Sequence, residues 1–289
     1  MAPTTVTPAL SGTKWRRMVR DQWSKAATAW DHWEPFNLQF LSGVDPVLLR
    51  ALDLRPGQRI LDFGSGTGEP ALQIARWIGP RGSVLGLDVA GPMVEVARRR
   101  GLLLGIRNAR FRRGDIARLP GRTKYDRVCS RFGLMFADDV PRALEHVHAA
   151  LKPGGRAAFA VWGPIPRNPA IMLAAEAVRA FAKDPVPDPE QSPHPMRLAR
   201  PGLLPRLMRR AGFRQVRTEE AHCYASYPDA DTYVAMMLEI AAPVRAVYDS
   251  LSAAGRRRVR ERLRRGALRH RSGPALRIPG MAWVVSGRR

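Results

Sequence analysis

The sequence predicts an α/β fold built on a mostly parallel sheet with helices on both faces. Three observations predict it. Short apolar segments alternate with amphipathic ones between residues 59 and 162, the pattern of successive βαβ units. The first of these segments, Ile60-Leu61-Asp62-Phe63, runs directly into Gly64-Ser65-Gly66-Thr67-Gly68, and Pro70 then suits the first turn of a helix. Carboxylates recur where later strands end, at Asp88 and Asp115.

Taken in order, residues 1–14 are rich in Thr, Pro and small side chains and read as a flexible tail. Residues 15–54 read as a helical cap. Met18, Trp23, Ala26, Ala27 and Trp30 fall at helical spacing, and Trp33, Phe36, Leu38, Phe40 and Leu41 extend an aromatic-rich stretch. Asp45-Pro46 then starts a short helix through Leu52. Residues 55–162 form the expected core, with strands over Arg59–Phe63, Ser83–Asp88, Ala109–Arg113, Tyr125–Arg131 and Arg156–Trp162. Helices over Pro70–Ile78, Pro92–Arg100 and Asp138–Leu151 separate them, the last stopping at Lys152-Pro153-Gly154-Gly155.

Residues 163–289 complete the domain. Prolines crowd residues 163–201 and leave one helix, Ile171–Phe181, in what reads as an insertion over the sheet edge. A helix over Leu203–Ala211 leads to a strand at Arg214–His222. Helical patterns cover Thr232–Ser250 and Arg256–Arg265, and Met281–Ser286 is a last short strand.

Composition narrows the function classes. The chain has 289 residues, 45% of them hydrophobic, enough for a full core. Two cysteines, Cys129 and Cys223, exclude a disulfide framework and a four-cysteine zinc site, and no metal site is expected. Lys14, Arg16 and Arg17 are followed by no apolar run of secretory length, and no apolar stretch reaches the roughly 20 residues of a membrane span. A cytoplasmic protein is expected. The formal charge is +23, from 48 basic and 25 acidic residues. Such a balance suits a polyanionic partner, or an arginine-rich solvated surface. Most arginines are scattered, which favours the second.

The glycine spacing is G-x-G-x-G. It is neither the G-x-G-x-x-G dinucleotide fingerprint nor a G-x-x-x-x-G-K-[ST] phosphate loop. Glycine there permits unusual backbone angles and close approach of a ligand. Asp88 can accept two hydrogen bonds from a ribose diol, or cap the helix that starts near Ala90. Asp115 can accept from an adenine amine while Ile116 packs on the ring, or be an ordinary loop aspartate. Both lie at carboxyl ends of strands, where open α/β sheets bind ligands.

With these residues on the page, the chain resembles the class I methyltransferases that use S-adenosylmethionine (SAM). It is most similar to the branch of the ubiquinone/menaquinone-biosynthesis C-methyltransferases. The resemblance rests on residues 61–71, Gly86-Leu87-Asp88, Pro92-Met93, Gly114-Asp115-Ile116, Tyr125-Asp126-Arg127-Val128 and Leu151-Lys152-Pro153-Gly154-Gly155. It covers residues 15–162 well and the remainder loosely. It implies a Rossmann-like seven-stranded sheet, six strands parallel and the last reversed. Arg214–His222 and Met281–Ser286 would then be the final hairpin partners, with residues 223–280 inserted between them. It also implies that Asp62, Gly64, Ser65, Gly66, Thr67 and Gly68 hold the methionine part of SAM, Asp88 the ribose, and Asp115 and Ile116 the adenine. Met93 would lie near the adenosine, and Ser130 and Arg131 would line the cofactor side of an acceptor pocket. N-terminal helices often close over SAM in this family, which would make Trp23, Trp30 and Trp33 lid residues; plain helix packing is the alternative.

The expected activity is methyl transfer to a small, apolar or aromatic metabolite. The reactive group comes with the cofactor, so no catalytic triad is required and no catalytic residue is assigned. His32, His194 and His222 are bases by location only, and read as ordinary histidines. Two other readings remain. One is a nucleic-acid methyltransferase, suggested by the charge. Against it, Ser130-Arg131-Phe132-Gly133 stands in place of the [DN]-P-P-[YFW] motif that holds a target base in many amino-directed enzymes. The other is a non-catalytic protein that keeps the fold as a scaffold. The densest arginines, between Arg256 and Arg265, predict weak, sequence-independent nucleic-acid binding and nothing stronger.

Overall fold

The structure, a computed structural model, describes residues 12–116, 124–181 and 192–289. The expected tail at residues 1–11 and part of the proline-rich insertion, residues 182–191, lie outside the described residues.

Five strands alternate with helices through the first half of the chain: β1 (Arg59–Phe63), β2 (Ser83–Asp88), β3 (Ala109–Arg113), β4 (Tyr125–Arg131) and β5 (Leu151–Trp162). β1 pairs in parallel with β2 and β4, β2 with β3, and β4 with β5. β6 (Arg214–Tyr227) and β8 (Ala275–Arg288) finish the sheet in the order β3-β2-β1-β4-β5-β8-β6. β8 is antiparallel to both of its neighbours, so β6 runs with the first five strands and β8 alone is reversed. This is the Rossmann-like α/β arrangement expected, with two corrections. The sheet has eight strands, not seven, because the two-residue β7 (Arg271–Ser272) folds back on β8 around Gly273. The final hairpin is also longer than expected, and the segment between its strands is residues 228–274. Burial continues to alternate at Ala221, Cys223, Ala225 and Tyr227, past the expected end of β6. In β8, Pro279-Gly280 disguised the first half of the strand.

Helices α4 (Ala71–Ile78) and α5 (Gly91–Leu103) connect strands that step one way across the sheet, and α6 (Val140–Ala150) a pair that steps the other way. Right-handed crossovers therefore place α4 and α5 on one face and α6 on the other. The core lies along the sheet, where β5 is buried at every residue from Ala157 to Trp162. Asp139 caps α6, its carboxylate accepting from the Arg142 amide at 2.9 Å.

The N-terminal cap consists of α1 (Gly12–His32), α2 (Glu34–Leu41) and α3 (Asp45–Leu52). α1 begins three residues before the expected start and buries Trp15, Val19, Ala26 and Ala27. Beyond β5 lie α7 (Pro169–Arg179) and α8 (Leu203–Arg210), and the segment between β6 and β8 holds α9 (Ala230–Ile240), α10 (Ala242–Asp249) and α11 (Ala253–Leu268). The single helix expected over Thr232–Ser250 is two, because Pro243 cannot continue α9 and starts α10 instead. α1 packs against α5, α9 and α10, and α11 against α7 and α9. β6 ends at the carboxyl end of the parallel strands, so these inserted helices build up the same end of the molecule as the glycine loop.

Candidate active site

The turn after β1 needs its glycines. Gly64 and Gly68 have φ of +69° and +115°. A Cβ on Gly64 would sit 2.8 Å from the Gly133 Cα, so the turn after β4 passes directly over this loop. The amides of Gly64 and Ser65 donate to the Leu87 carbonyl at 2.7 and 3.0 Å, which fixes the loop to the end of β2.

Asp88 is the second anchor. Its Oδ2 accepts from the Gly66 amide and its Oδ1 from the Ala90 amide, both at 2.9 Å. The carboxylate thus ties the glycine loop to the start of α5. A carboxylate offers about four lone-pair sites, so two bonds leave acceptor capacity on the cleft side. Burial raises its pKa, against the hydrogen bonds that lower it.

Beneath the loop lies a group of buried polar atoms. Asp62 is fully buried; its Oδ1 takes the Cys129 thiol at 3.6 Å and its Oδ2 has no protein partner. The hydroxyls of Ser65 and Ser130 are buried and unpartnered too. Burial pushes the Asp62 carboxyl up to about 7, with Arg131 opposing the rise and Asp88 and Glu69 adding to it. A buried polar atom without a partner is costly, and three in one place mark a site that fits a polar ligand. An acceptor carboxylate with two hydroxyls suits the amino-acid end of SAM.

Above the loop, α1 closes a cleft. Arg16, Val19, Trp23 and Trp30 face it from this helix. Trp23 meets Trp30 edge-on at 5.5 Å and Phe136 at 5.2 Å. Trp15 donates its indole N–H to the Phe136 carbonyl at 2.8 Å, and Arg16 pairs with Asp138. The buried Arg100 of α5 holds Asp31 at 2.8 Å and also pairs with Glu34. Trp33 stands apart from the cleft and donates to Glu239 at 2.7 Å. Leu41, Phe63, Phe132 and Phe136 form an apolar wall. Phe132 adopts φ +58°, a strained angle for a bulky residue, and stacks on Trp162 at 3.9 Å.

Gly64, Ser65, Gly66, Thr67, Asp88, Met93, Asp115, Ile116 and Arg131 come together around this cleft. Asp62, Gly68 and Ser130 sit behind it. Arg131 is committed to the protein: its Nη1 contacts both Asp45 oxygens, at 2.9 and 2.7 Å, and its Nη2 donates to the Glu69 carbonyl at 2.9 Å. That fork joins α3 to the glycine loop. His32, His194 and His222 do not line the cleft. His32 meets the Trp33 ring, the His194 Nδ1 accepts from the Met196 amide, and His222 lies 3.3 Å from Glu220 at the surface. Sequence reasoning missed Glu69, Arg16 and Asp138 as cleft residues. Glu69 had a signal, since it ends the glycine loop and so must lie beside whatever the loop holds. Its carboxyl is raised by burial, and its Oε2 accepts from the Gln73 amide at 3.1 Å.

A family profile described as a methyltransferase domain matches residues 60–155. The ubiquinone/menaquinone biosynthesis C-methyltransferase UbiE of Coxiella burnetii is 41% identical over 104 residues, 35% of this chain and 42% of the relative. A demethylmenaquinone methyltransferase of Geobacillus kaustophilus is 32% identical over 109 residues, 37% of this chain and 47% of the relative. The chain thus spans less than half the length of these curated relatives. In fold, it superimposes on the phosphoethanolamine N-methyltransferase 2 of Haemonchus contortus, solved with SAM, with a TM-score of 0.57 and 15% identity, over 100% of this chain and 61% of that one. Residues 60–155, which hold the glycine loop and the strand-end carboxylates, match a methyltransferase-domain family and are similar in sequence to ubiquinone/menaquinone biosynthesis C-methyltransferases.

Proposed function

We propose that the whole chain transfers the methyl group of SAM to a small apolar or aromatic metabolite, in the cytoplasm. The observation that carries this reading is the divided character of the cleft. One side is lined by the glycine loop with Ser65, Asp88 and Asp115, and the unpartnered polar atoms of Asp62 and Ser130 are buried behind it. The other is Val19, Trp23, Leu41, Phe132 and Phe136.

In this reading Asp62 and the loop of Gly64, Ser65, Gly66, Thr67 and Gly68 hold the methionine end of SAM. The free Asp62 oxygen takes its ammonium group. Asp88 receives the ribose hydroxyls on its unused lone pairs, Met93 packs beside the adenosine, and Asp115 and Ile116 hold the adenine. Ser130 and Arg131 shape the wall between cofactor and acceptor, Arg131 by fixing α3 against the loop. When bound, SAM supplies a methyl group on a cationic sulfur, open to in-line displacement. The chain's own contribution is position and dryness. Trp23 and Trp30 shut water out, and Phe132 and Phe136 offer flat faces to an acceptor ring. Among the described residues the cleft is lined by carboxylates and no histidine, so a proton leaving the acceptor goes to a carboxylate; burial raises both Glu69 and Asp88, and Asp88 is already held by the Gly66 and Ala90 amides.

The test is a methyl-labelled SAM assay with the full chain on a small-molecule and lipid extract, on total RNA and on DNA, at about 150 mM salt. Label in one organic-soluble product is the expected result. Stoichiometric label at one RNA or DNA position would refute the small-molecule reading.

A further inference from the structure

The described surface exposes seven large hydrophobic side chains, and four of them lie at the ends of α4 and α5, which lead into the neighbouring strands β2 and β3 at the same edge of the sheet. Leu102, Leu103 and Leu104 end α5 with 83%, 77% and 48% of their surface in solvent, and Trp77, in the last turn of α4, has 57%. The loop that follows α5 is tied to the end of α4. The Asn108 side-chain amide donates to the carbonyls of Ala75 at 2.8 Å and Gly79 at 2.9 Å, on either side of Trp77. The leucine turn is pinned in place as well: the amide of Gly105 donates to Leu102 and that of Ile106 to Gly101, at 3.0 and 2.9 Å. The leucines are therefore presented on a fixed turn rather than on a loose loop.

The charge around this corner has one sign. Residues 70–87 and 96–113 contain no Asp or Glu and nine arginines. Arg98, Arg99 and Arg100 are paired with Glu95, Asp31 and Glu34. Arg76, Arg81, Arg107 and Arg110 are exposed and form no ion pair among the described residues. Exposed leucines gain little from a polyanion such as RNA, and the arginines oppose a symmetric dimer that would bring like charges together. A surface with both an apolar interior and anionic headgroups satisfies both halves at once. Trp77 is the side chain that settles at headgroup depth.

We propose that this corner docks the protein on an anionic phospholipid bilayer. It is peripheral docking, since no described helix is long and apolar enough to cross a membrane. α5 begins beside Asp88 and ends at the far end of β2 and β3, so the corner lies at the opposite end of the sheet from the cleft. The docked protein keeps its cleft open to the solution, and docking is independent of the methyltransferase reading.

The experiment is sedimentation of the full chain with vesicles of phosphatidylcholine alone or with about 30% phosphatidylglycerol. We expect binding to the mixed vesicles only, falling as salt rises from about 50 to 300 mM. L102S/L103S should weaken it by about tenfold or more, since each leucine loses its transfer into the bilayer. R81E/R107E should weaken it as well. Both variants should keep the far-ultraviolet circular dichroism and the S-adenosylhomocysteine affinity of the wild type, because neither pair touches the core or the cleft. Three results would overturn the proposal. One is vesicle binding unchanged in L102S/L103S. Another is RNA binding at least as tight as vesicle binding and indifferent to the leucines. The third is a wild-type dimer that L102S/L103S dissociates, with no vesicle binding.

Discussion

Asp88→Ala separates the structural duty of this carboxylate from the cofactor duty proposed for it. The folded protein uses it to hold the Gly66 and Ala90 amides, each at 2.9 Å. Hydrogen bonds to a charged acceptor contribute about 1.5–3 kcal/mol each. Removing both should lower the melting temperature by roughly 6–24 °C, at about 2–4 °C per kcal/mol for a chain of this size. The lower end is expected, because the Gly66 amide is only partly buried and water can replace its acceptor. The proposed second duty is to accept from the ribose diol. Losing one or two charge-assisted bonds there should weaken S-adenosylhomocysteine binding about ten- to a thousandfold. Calorimetry at a temperature where the variant is fully folded, beside a thermal melt, reads the two effects apart. Asp88→Asn keeps one acceptor oxygen and should fall between wild type and Asp88→Ala in both. A melting point that drops while affinity stays within about twofold of wild type would make Asp88 a strut of the loop and nothing more.

Asp62 predicts a pH effect. Its folded pKa of about 7 lies above the ordinary aspartate value of 3.8, so the folded state holds the proton more tightly and this group's contribution to stability declines as pH rises between those values. A ligand ammonium needs the ionised form, so S-adenosylhomocysteine affinity should rise by up to about tenfold per pH unit toward pH 7 and level off above it; Asp62→Asn should abolish that slope, and a flat wild-type profile would disprove the pairing. For α1, saturation with S-adenosylhomocysteine should slow amide exchange across Trp15–Trp30, where Trp23 and Trp30 face the cleft; unchanged exchange would reduce these tryptophans to packing residues. The Arg131–Asp45 pair should show a coupling of about 1–3 kcal/mol in a double-mutant cycle on stability, and additive single variants would show that the fork does not join α3 to the loop. The exposed arginines of α11 should bind RNA or DNA weakly at low salt and release it near 150 mM; retention there would mark a specific nucleic-acid surface.

The parts of the fold that local chemistry writes were legible in the sequence. Strands β1, β2, β3 and β4 and the position of the glycine loop follow from apolar runs meeting turn residues, and each needs only neighbours in the chain. α11 was legible for the same reason: Val259 and Leu263, four residues apart among arginines, are its buried stripe. The errors fall where a long-range partner decides. β8 runs through Pro279-Gly280 because β6 and the Phe40 ring fill the space beside them; a Cβ on Gly280 would meet that ring at 3.0 Å. Nothing within ten residues of Pro279 reveals those neighbours. β7 exists only as a fold-back on β8.

The candidate site divides along the same line. The carboxylates and glycines of the polar half announce themselves because their residue types are unusual at strand ends. The apolar half does not, because Val19, Leu41 and Phe136 look like any core residues until α1 is docked. Arg131 shows the consequence most clearly. Next to Ser130 at the end of β4 it reads as a pocket residue, and it does line the cleft. Its guanidinium, however, is spent on Asp45 and the Glu69 carbonyl, contacts made across 86 and 62 residues of chain. A cation free to steer an acceptor and a cation holding the cap against the loop have the same one-letter spelling. The difference lies in the partner, and the partner comes from α3, an element the cofactor motifs do not mention. Acceptor choice in this chain is therefore expected to follow the cap, residues 12–54, which supplies Val19, Trp23 and Leu41 to the cleft and anchors Arg131. Exchange of that segment should alter which acceptor is methylated while leaving S-adenosylhomocysteine affinity, which the proposed site assigns to Asp62, Asp88 and the glycine loop, within a few fold.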